Sequence, residues 1–467
     1  MKLRPYPAYK ESGMLWLGRV PKHWECLPHR AIFEEVKEQG HLDEQLLSVT
    51  IGRGIIRQED LLADSSKKDS SNIDKSKYKL VEPGDIAYNK MRAWQGAVGV
   101  SKYRGIVSPA YIVERLRGEL RPEYFHYLFR TPGFAKEAER WSYGITSDQW
   151  SLRPQHFKMI YSCLPPQDEQ DAIVRFLHSF DAKVRRFIRN RRRLIEVLNE
   201  QKQAIINRAV TRGLDPDVPL KPSGIDWLGD IPEHWEFKKG KFYFREVNQR
   251  SSTGKEELLS VSHITGVTPR SQKNIYMFKA GSYVGYKLVM PGQIAVNTMW
   301  AWMAAIGVSQ YHGIISSSYH TYEQIKKFTF NTDYLDLLLR SKTYKYYYFL
   351  NSKGITSSRL RLYPEGFLNL KFLKPPEDEQ RHIVNWLKNA TASLDAAITR
   401  NYKEIDLIRE YRTRLISDVV TGKVDVRHLA PPPGSEDLEE TVESLEPLEE
   451  DIADAVIDDE ERVNGPD

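Results

Sequence analysis

Two thirteen-residue segments decide how this chain is organised. Residues 13–25 read GMLWLGRVPKHWE, and residues 224–236 read GIDWLGDIPEHWE. Eight of the thirteen positions are identical, although the segments lie 211 residues apart. Self-similarity at this distance indicates an internal repeat, and a repeat determines how the rest of the sequence must be interpreted.

Further blocks repeat in the same order. They are YKLVEPGDIAYNKM at residues 78–91 with YKLVMPGQIAVNTM at 286–299, GITS at 144–147 with GITS at 354–357, PPQDEQ at 165–170 with PPEDEQ at 375–380, and AVTRG at 209–213 with VVTGK at 419–423. The offset stays between 208 and 211 residues throughout. The sequence therefore predicts a tandem duplication.

Each copy predicts a globular head followed by a long helix. In the heads, short β-branched and aromatic runs alternate with Gly and Pro, which is typical of short strands and turns with a few helices. Residues 167–211 then contain no Pro or Gly, and their apolar positions are spaced by three and four. We predict a mixed α+β (α/β) fold, in which two heads alternate with two long helices forming an antiparallel coiled-coil spacer in a pseudo-twofold repeat. The alternative is that each helix packs only on its own head.

The predicted boundaries follow the repeat. They are residues 1–164 for the first head, 165–213 for the first helix, 214–374 for the second head, 375–428 for the second helix and 429–467 for an acidic tail, expected to be disordered. Asn401 is a polar residue in the second helical seam, where such a residue typically fixes the register.

Charge separates the tail from the body. The whole chain carries a net charge of +5, but residues 435–467 hold 15 acidic residues and one arginine. The preceding 434 residues therefore carry 67 basic and 48 acidic residues, a net charge of +19. Such an excess suits a polyanionic partner, although it also fits a simple effect on solubility.

Several function classes have no support in the sequence. No apolar run is long enough to span a membrane, and residues 1–18 lack the layout of a signal peptide, so we expect a cytoplasmic protein. We find no phosphate-binding loop, cofactor-binding glycine motif or metal-ligand spacing. Cys26 and Cys163 are expected to be small buried residues without a disulfide. The recurring pairs Asp168/Glu169 and Asp378/Glu379 are interpreted as caps that complement the helix dipole.

The candidate DNA contacts lie after the YKLV block and at or after the end of the GITS block, and most of them differ between the copies. The framework around them is kept while most of the side chains change, as expected for two readers of different sequences. The candidates are Lys90, Arg92, Gln95, Ser147, Gln149 and Arg153 in the first copy, and Thr298, Trp300, Ser357, Arg359 and Arg361 in the second. The alternative is drift of surface loops after duplication, and the tryptophans are also compatible with core positions.

On these blocks, the chain resembles the specificity subunits of type I restriction–modification enzymes over residues 6–428. The resemblance implies that each head is a target-recognition domain reading one half of a split, asymmetric site in double-stranded DNA. It also implies that the helices set the gap between the halves and dock modification (methyltransferase) subunits. Those partners would bind S-adenosylmethionine and methylate adenine, and a restriction (translocase) subunit would cut DNA.

The resemblance thus predicts a non-enzymatic chain with no cofactor of its own and no membrane partner. Two other functions remain open at this point. The chain could be an autonomous two-headed DNA-binding regulator, or it could be a protein-interaction scaffold whose heads bind no DNA.

Overall fold

The computed structural model describes residues 3–51, 53–63, 74–144, 150–273, 281–354 and 360–434. The chain divides into two compact units. The first contains the described residues of Met1–Arg191 and Lys403–Asp467, and the second contains those of Arg192–Tyr402. From residue 435 onward, the acidic tail lies outside the described residues.

The first unit combines short strands with short helices. Its strands are β1 (Tyr9–Glu11), β2 (Arg19–Pro21), β3 (Glu25–Pro28), β4 (Phe33–Val36), β5 (Leu47–Thr50), β6 (Gly54–Arg57), β7 (Lys79–Val81), β8 (Ile86–Asn89), β9 (Val98–Val100), β10 (Gly105–Val107), β11 (Tyr111–Leu116) and β12 (Tyr161–Leu164). Its short helices are α1 (His29–Ile32), α2 (Gln58–Ala63), α3 (Pro122–Phe129), α4 (Pro132–Arg140) and α5 (Pro154–Phe157).

The largest sheet of this unit is antiparallel, with strand order β4-β11-β8-β9. Helices α3 and α4 begin where the sequence supplies start signals. Pro122 and Pro132 stand in their first turns, and Thr131 caps α4 by accepting a hydrogen bond from the Phe134 amide. Their buried faces pack into an aromatic core that includes Phe125 and Phe134.

The second unit repeats this plan. Its strands are β13 (Leu220–Pro222), β14 (Asp230–Pro232), β15 (Glu236–Lys239), β16 (Phe244–Val247), β17 (Leu259–Ser262), β18 (Gly266–Pro269), β19 (Lys287–Val289), β20 (Ile294–Val296), β21 (Ile306–Val308), β22 (Gly313–Ile315), β23 (His320–Gln324) and β24 (Lys371–Lys374). Its short helices are α7 (Thr332–Leu339), α8 (Lys342–Asn351) and α9 (Pro364–Asn369). The sheet order β16-β23-β20-β21 matches that of the first unit.

Two long helices follow the heads, as the sequence predicts. They are α6 (Gln167–Arg212) and α10 (Glu377–Val420), and each contributes residues to both units. In the first unit, Leu177 of α6 and Val419 of α10 share one buried core. In the second unit, Val210 of α6 and Ile383 of α10 share another. The alternative, in which each helix packs only on its own head, does not fit this arrangement.

Ion pairs give the direction of the helices within each unit. In the first unit, Arg412 donates two hydrogen bonds of 2.8 and 2.7 Å to the fully buried carboxylate of Asp181. Arg191 lies 3.0 Å from Glu404 in the same unit. Residue numbers therefore increase along α6 in the direction in which they decrease along α10. The two helix segments of that unit are therefore antiparallel. The coiled-coil geometry itself stays a prediction.

Asn401 is buried, as expected for a seam position, and its side-chain amide donates to the Ala397 carbonyl of its own helix at 2.8 Å.

The expectation that the two cysteines form no disulfide is wrong, although Cys163 is buried as expected. A disulfide joins Cys26 and Cys163. The residues are far apart in sequence, but β3 and β12 pair antiparallel and place them directly opposite each other. Spacing along the chain could not reveal this pairing. In the second unit, Phe237 and Leu373 form the equivalent cross-strand pair between β15 and β24.

None of the helices in the described part of the chain is long and apolar enough to cross a membrane.

Candidate nucleic-acid interface

The repeated HWE and DEQ blocks contact each other in both units. In the first unit, Glu169 accepts hydrogen bonds from the Trp24 indole at 2.8 Å and from the His23 imidazole at 2.7 Å. In the second unit, Glu379 bonds Trp235 at 3.1 Å and the ring of His234 at 2.8 Å. The glutamates are therefore more than helix caps. Each fixes the first turn of a long helix to the start of its head.

The glutamine of each DEQ block forms further hydrogen bonds between the helix start and the head. The Gln170 amide donates to the Pro165 carbonyl at 2.9 Å and accepts from the Arg121 backbone amide at 3.1 Å. Gln380 makes the matching bonds to the Pro375 carbonyl and the Asn331 amide. Because both side chains are buried, these bonds hold the helix start at a fixed position against the head.

A backbone hydrogen bond joins the predicted DNA-contacting loops in each unit. In the first unit, the Leu152 amide donates to the Lys90 carbonyl at 2.8 Å, and Tyr143 pairs with Ser151 across a short hairpin. The same bond recurs in the second unit, from the Leu362 amide to the Thr298 carbonyl at 3.1 Å. We call the described parts of residues 90–95 and 143–153 the first loop pair. The second loop pair is the described parts of residues 298–303 and 353–363.

The first loop of each pair contains the same kind of turn. The indole nitrogen of Trp94 donates to the Met91 carbonyl at 3.0 Å, and Trp302 makes the same bond to Met299. The 3₁₀ turn that follows ends in the left-handed region, with Gly96 at φ 92° and Ala304 at φ 68°. These tryptophans therefore hold the turn, and neither is fully buried.

The first loop pair lines a cleft of about 510 Å³. Lys90 and Arg153 contribute cationic side chains to its lining, and Tyr143 contributes an aromatic ring. Trp94 and Trp150 meet beside these residues, with ring centroids 5.4 Å apart in an edge-to-face arrangement. A cleft that combines cations with aromatic rings can hold phosphates or base edges.

The second loop pair presents a more aromatic surface. The rings of Trp300 and Trp302 stack with centroids 5.8 Å apart, and Phe349 lies 6.5 Å from Trp302. Lys353 and Arg361 pair across the hairpin, and both are exposed.

Thr298 does not belong to this surface. Its side chain is buried, and its hydroxyl donates to the Ser318 carbonyl at 3.0 Å. We therefore correct the prediction for Thr298 and no longer count it among the candidate DNA contacts. Its hydroxyl satisfies a backbone group inside the fold.

The remaining site predictions have different outcomes. Arg92, Gln95 and Arg153 are exposed, and Lys90 and Trp300 are half-buried. Ser147, Gln149, Ser357 and Arg359 lie outside the described residues. The DNA-binding role of every candidate stays a prediction.

Sequence reasoning missed three members of the loop pairs. Tyr143 and Lys353 occupy matching hairpin positions, and Tyr363 holds the helix-capping position that Arg153 holds in the first unit. All three are exposed. The signal was available in the duplication, because an alignment of the copies places a cation opposite an aromatic residue at each of these positions.

Not every lysine near the loops is available for a ligand. Lys79 and Lys287, from the two YKLV blocks, are buried, and Lys79 donates to the Tyr111 carbonyl at 2.7 Å. Burial lowers the pKa of both ammonium groups. Within the described ranges, no group of three or more His, Cys, Asp or Glu residues is placed to hold a metal ion.

The architecture has counterparts among solved structures. One chain, from work described as "Structural basis underlying complex assembly and conformational transition of the type I R-M system", matches with a TM-score of 0.57 and 13% identity, over 86% of this chain and 98% of that chain. This chain therefore shares the fold of that chain. The resemblance seen in the sequence is thereby confirmed at the level of the fold.

Two further structures match less closely. The HsdS subunit from Thermoanaerobacter tengcongensis has a TM-score of 0.41 at 15% identity, over 86% of this chain and 98% of that chain. The type I restriction-modification system S subunit from M. genitalium has a TM-score of 0.32 at 11% identity, over 85% and 96%. No protein-family model and no curated protein matches the sequence.

Proposed function

We propose that this chain is the DNA sequence-recognition (specificity) subunit of a type I restriction–modification enzyme. The observation that carries the proposal is the fold likeness, which extends over 98% of a chain from such a system. The two loop pairs add chemical support because these corresponding loops of the two units both contain exposed arginines, a lysine and aromatic rings. The net charge of +19 over the first 434 residues suits a DNA partner.

In this proposal, each unit reads one half of a split, asymmetric site in double-stranded DNA. The long helices set the gap between the halves and dock methyltransferase subunits. The chain itself is non-catalytic. Adenine methylation with S-adenosylmethionine and DNA cleavage belong to the methyltransferase and translocase partners.

The decisive experiment is methylome sequencing of a host that expresses the chain with its partner subunits. We expect a split motif with a fixed gap. Exchanging residues 240–374 for the equivalent segment of another such chain should change one half of the motif and leave the other. Unchanged methylation, or a contiguous motif, would contradict the proposal.

Two assays separate this function from the alternatives. Copurification of methyltransferase and translocase subunits distinguishes an enzyme subunit from an autonomous DNA-binding regulator. A gel-retardation assay with a salt titration tests for an interaction scaffold, because phosphate contacts make affinity fall steeply with salt. A shallow slope would favour the scaffold.

A further inference from the structure

The two loop pairs carry opposite chemistry at equivalent positions. Arg92 and Trp300 each precede the 3₁₀ turn of their loop, with φ and ψ of −130° and 8° for Arg92 and −117° and 9° for Trp300. Arg153 and Tyr363 each precede a short helix, at −74° and 152° and at −76° and 159°. The backbone thus presents these side chains from the same places in the two units.

A third position shows the reverse exchange. Tyr143 pairs with Ser151 at the hairpin of the first unit, and Lys353 pairs with Arg361 at the hairpin of the second. The aromatic residue therefore stands in the first unit here, and the cation stands in the second. Tyr143 is 54% exposed, so it is available to a ligand.

This pattern distinguishes base contacts from phosphate contacts. Phosphates carry no sequence information, so a cation that binds phosphate serves equally well in both units. A position that reads a base has to change when the base changes. The two positions at which the first unit has an arginine, Arg92/Trp300 and Arg153/Tyr363, are therefore the candidates for base contacts. At the third position the cation is Lys353, which pairs with a second cation, Arg361, and two neighbouring cations suit phosphates.

The chemistry of each side chain indicates which base it suits. An arginine guanidinium can donate two hydrogen bonds to O6 and N7 of guanine in the major groove. An aromatic ring has an apolar surface that suits the methyl group of thymine. Lys90 adds a second donor beside Arg153 in the cleft of the first unit. The matching Thr298 is buried and offers none.

We propose that the two loop pairs read half-sites of different composition. The first reads guanine through Arg92 and Arg153, and the second reads thymine of an A·T pair through Trp300 and Tyr363. This inference rests on the proposed function and adds the base class that each unit recognises.

The test is selection of DNA by the full chain, in complex with the subunits that copurify with it, from a library of two random blocks separated by variable gaps. The wild type is compared with Arg92→Trp, Trp300→Arg and Arg153→Tyr, which exchange the chemistry of the two units. Arg19→Trp is the matched control, because Arg19 lies on β2 outside both loop pairs and is 67% exposed. Circular dichroism of each variant checks folding.

We expect the wild type to select a split motif with guanine in one half and thymine at a fixed position of the other. Arg92→Trp or Arg153→Tyr should lower the preference for guanine by about tenfold or more and leave the other half unchanged. Trp300→Arg should change only the thymine half, and Arg19→Trp should change neither.

Other outcomes overturn the inference in distinguishable ways. If Arg92→Trp and Arg153→Tyr weaken binding to all sequences equally, both arginines bind phosphate, and the proposed function stands without the base assignment. A split motif without guanine in the half that these variants affect also refutes the assignment. If the wild type selects no split motif, the proposed function fails as well.

Discussion

The indole nitrogen of Trp24 donates a hydrogen bond of 2.8 Å to Oε1 of Glu169, and both side chains are buried. His23 bonds the other carboxylate oxygen at 2.7 Å, and Arg427 lies 3.6 Å from it. One carboxylate therefore joins the first segment of the head, the start of α6 and the residues that follow α10. This bond explains why the HWE and DEQ blocks recur together in both copies.

Glu169→Ala should destabilise the first unit by about 2–4 kcal/mol, because it leaves the buried indole donor of Trp24 and the ring of His23 without their acceptor. Calorimetry of the full chain measures the effect. Asp168→Ala is the control, since Asp168 is exposed in the same helical turn and should cost less than about 0.5 kcal/mol. Equal losses from both variants would indicate a helix-dipole role for the acidic pair.

A second prediction concerns the buried ion pair between Asp181 and Arg412. Asp181→Ala should cost about 3–5 kcal/mol, because it leaves the Arg412 guanidinium without its buried carboxylate partner. The control is Asp395→Ala in the second unit, where Asp395 and Lys202 form a partly exposed pair expected to contribute about 1 kcal/mol or less. Urea denaturation of the two variants compares them. A small loss for Asp181→Ala would show that Arg412 finds another partner.

Close backbone approach requires glycine at residue 105. A Cβ added there would lie 2.6 Å from the Gln45 carbonyl oxygen and 2.8 Å from Cγ of Leu47. Gly105→Ala should therefore destabilise the chain by about 1–3 kcal/mol. At Gly133 in α4, the added atom would meet its nearest neighbour at an ordinary 3.6 Å, so Gly133→Ala should be neutral or slightly stabilising. Thermal unfolding of both variants tests the contrast, and similar shifts would contradict it.

Glu114 predicts a dependence of stability on pH. Its side chain is fully buried, and this desolvation raises the pKa of the carboxyl group to about 8 from an ordinary 4.5. Between these values the folded state keeps a proton that the unfolded chain has lost, so stability falls as pH rises.

Glu114→Gln removes this titration while keeping the shape of the side chain. Between pH 5 and pH 8, the unfolding free energy of this variant should fall less than that of the wild type. The difference between the two proteins should grow by at most about 1.4 kcal/mol for each pH unit. Exposed Glu119→Gln is the control and should follow the wild type. Parallel pH profiles of wild type and Glu114→Gln would show that the buried carboxyl does not control this dependence.

The duplication made much of the architecture predictable from the sequence. Repeated blocks and apolar spacing predicted the long helices, and α6 begins at Gln167, where the stretch without Pro or Gly begins. Contacts across strands were not accessible in this way. The bond between Cys26 and Cys163 depends on the register of β3 and β12, which the separation of 137 residues does not encode.

The candidate site was predictable in part, and for a physical reason. Comparison of the copies identifies positions that change, but not the direction of each side chain. Thr298 and Lys90 occupy the same place in the repeat, yet Thr298 is buried and bonded to Ser318. A short hydroxyl side chain can reach the neighbouring backbone from this position, whereas Lys90 lines the cleft of its unit.

The exposed cations of the second hairpin give the final prediction. Lys353 and Arg361 pair across it. Trp300 and Tyr363 stand where the first unit has arginines, so we expect these two cations to supply phosphate contacts of the second loop pair. Lys353→Ala/Arg361→Ala should weaken binding equally for all sequences and reduce the slope of log affinity against log salt by about 1.8, since each phosphate contact contributes about 0.9. Exposed Lys326→Ala should leave the slope unchanged. Loss of one half of the selected motif, with the salt slope intact, would instead assign these cations to base recognition.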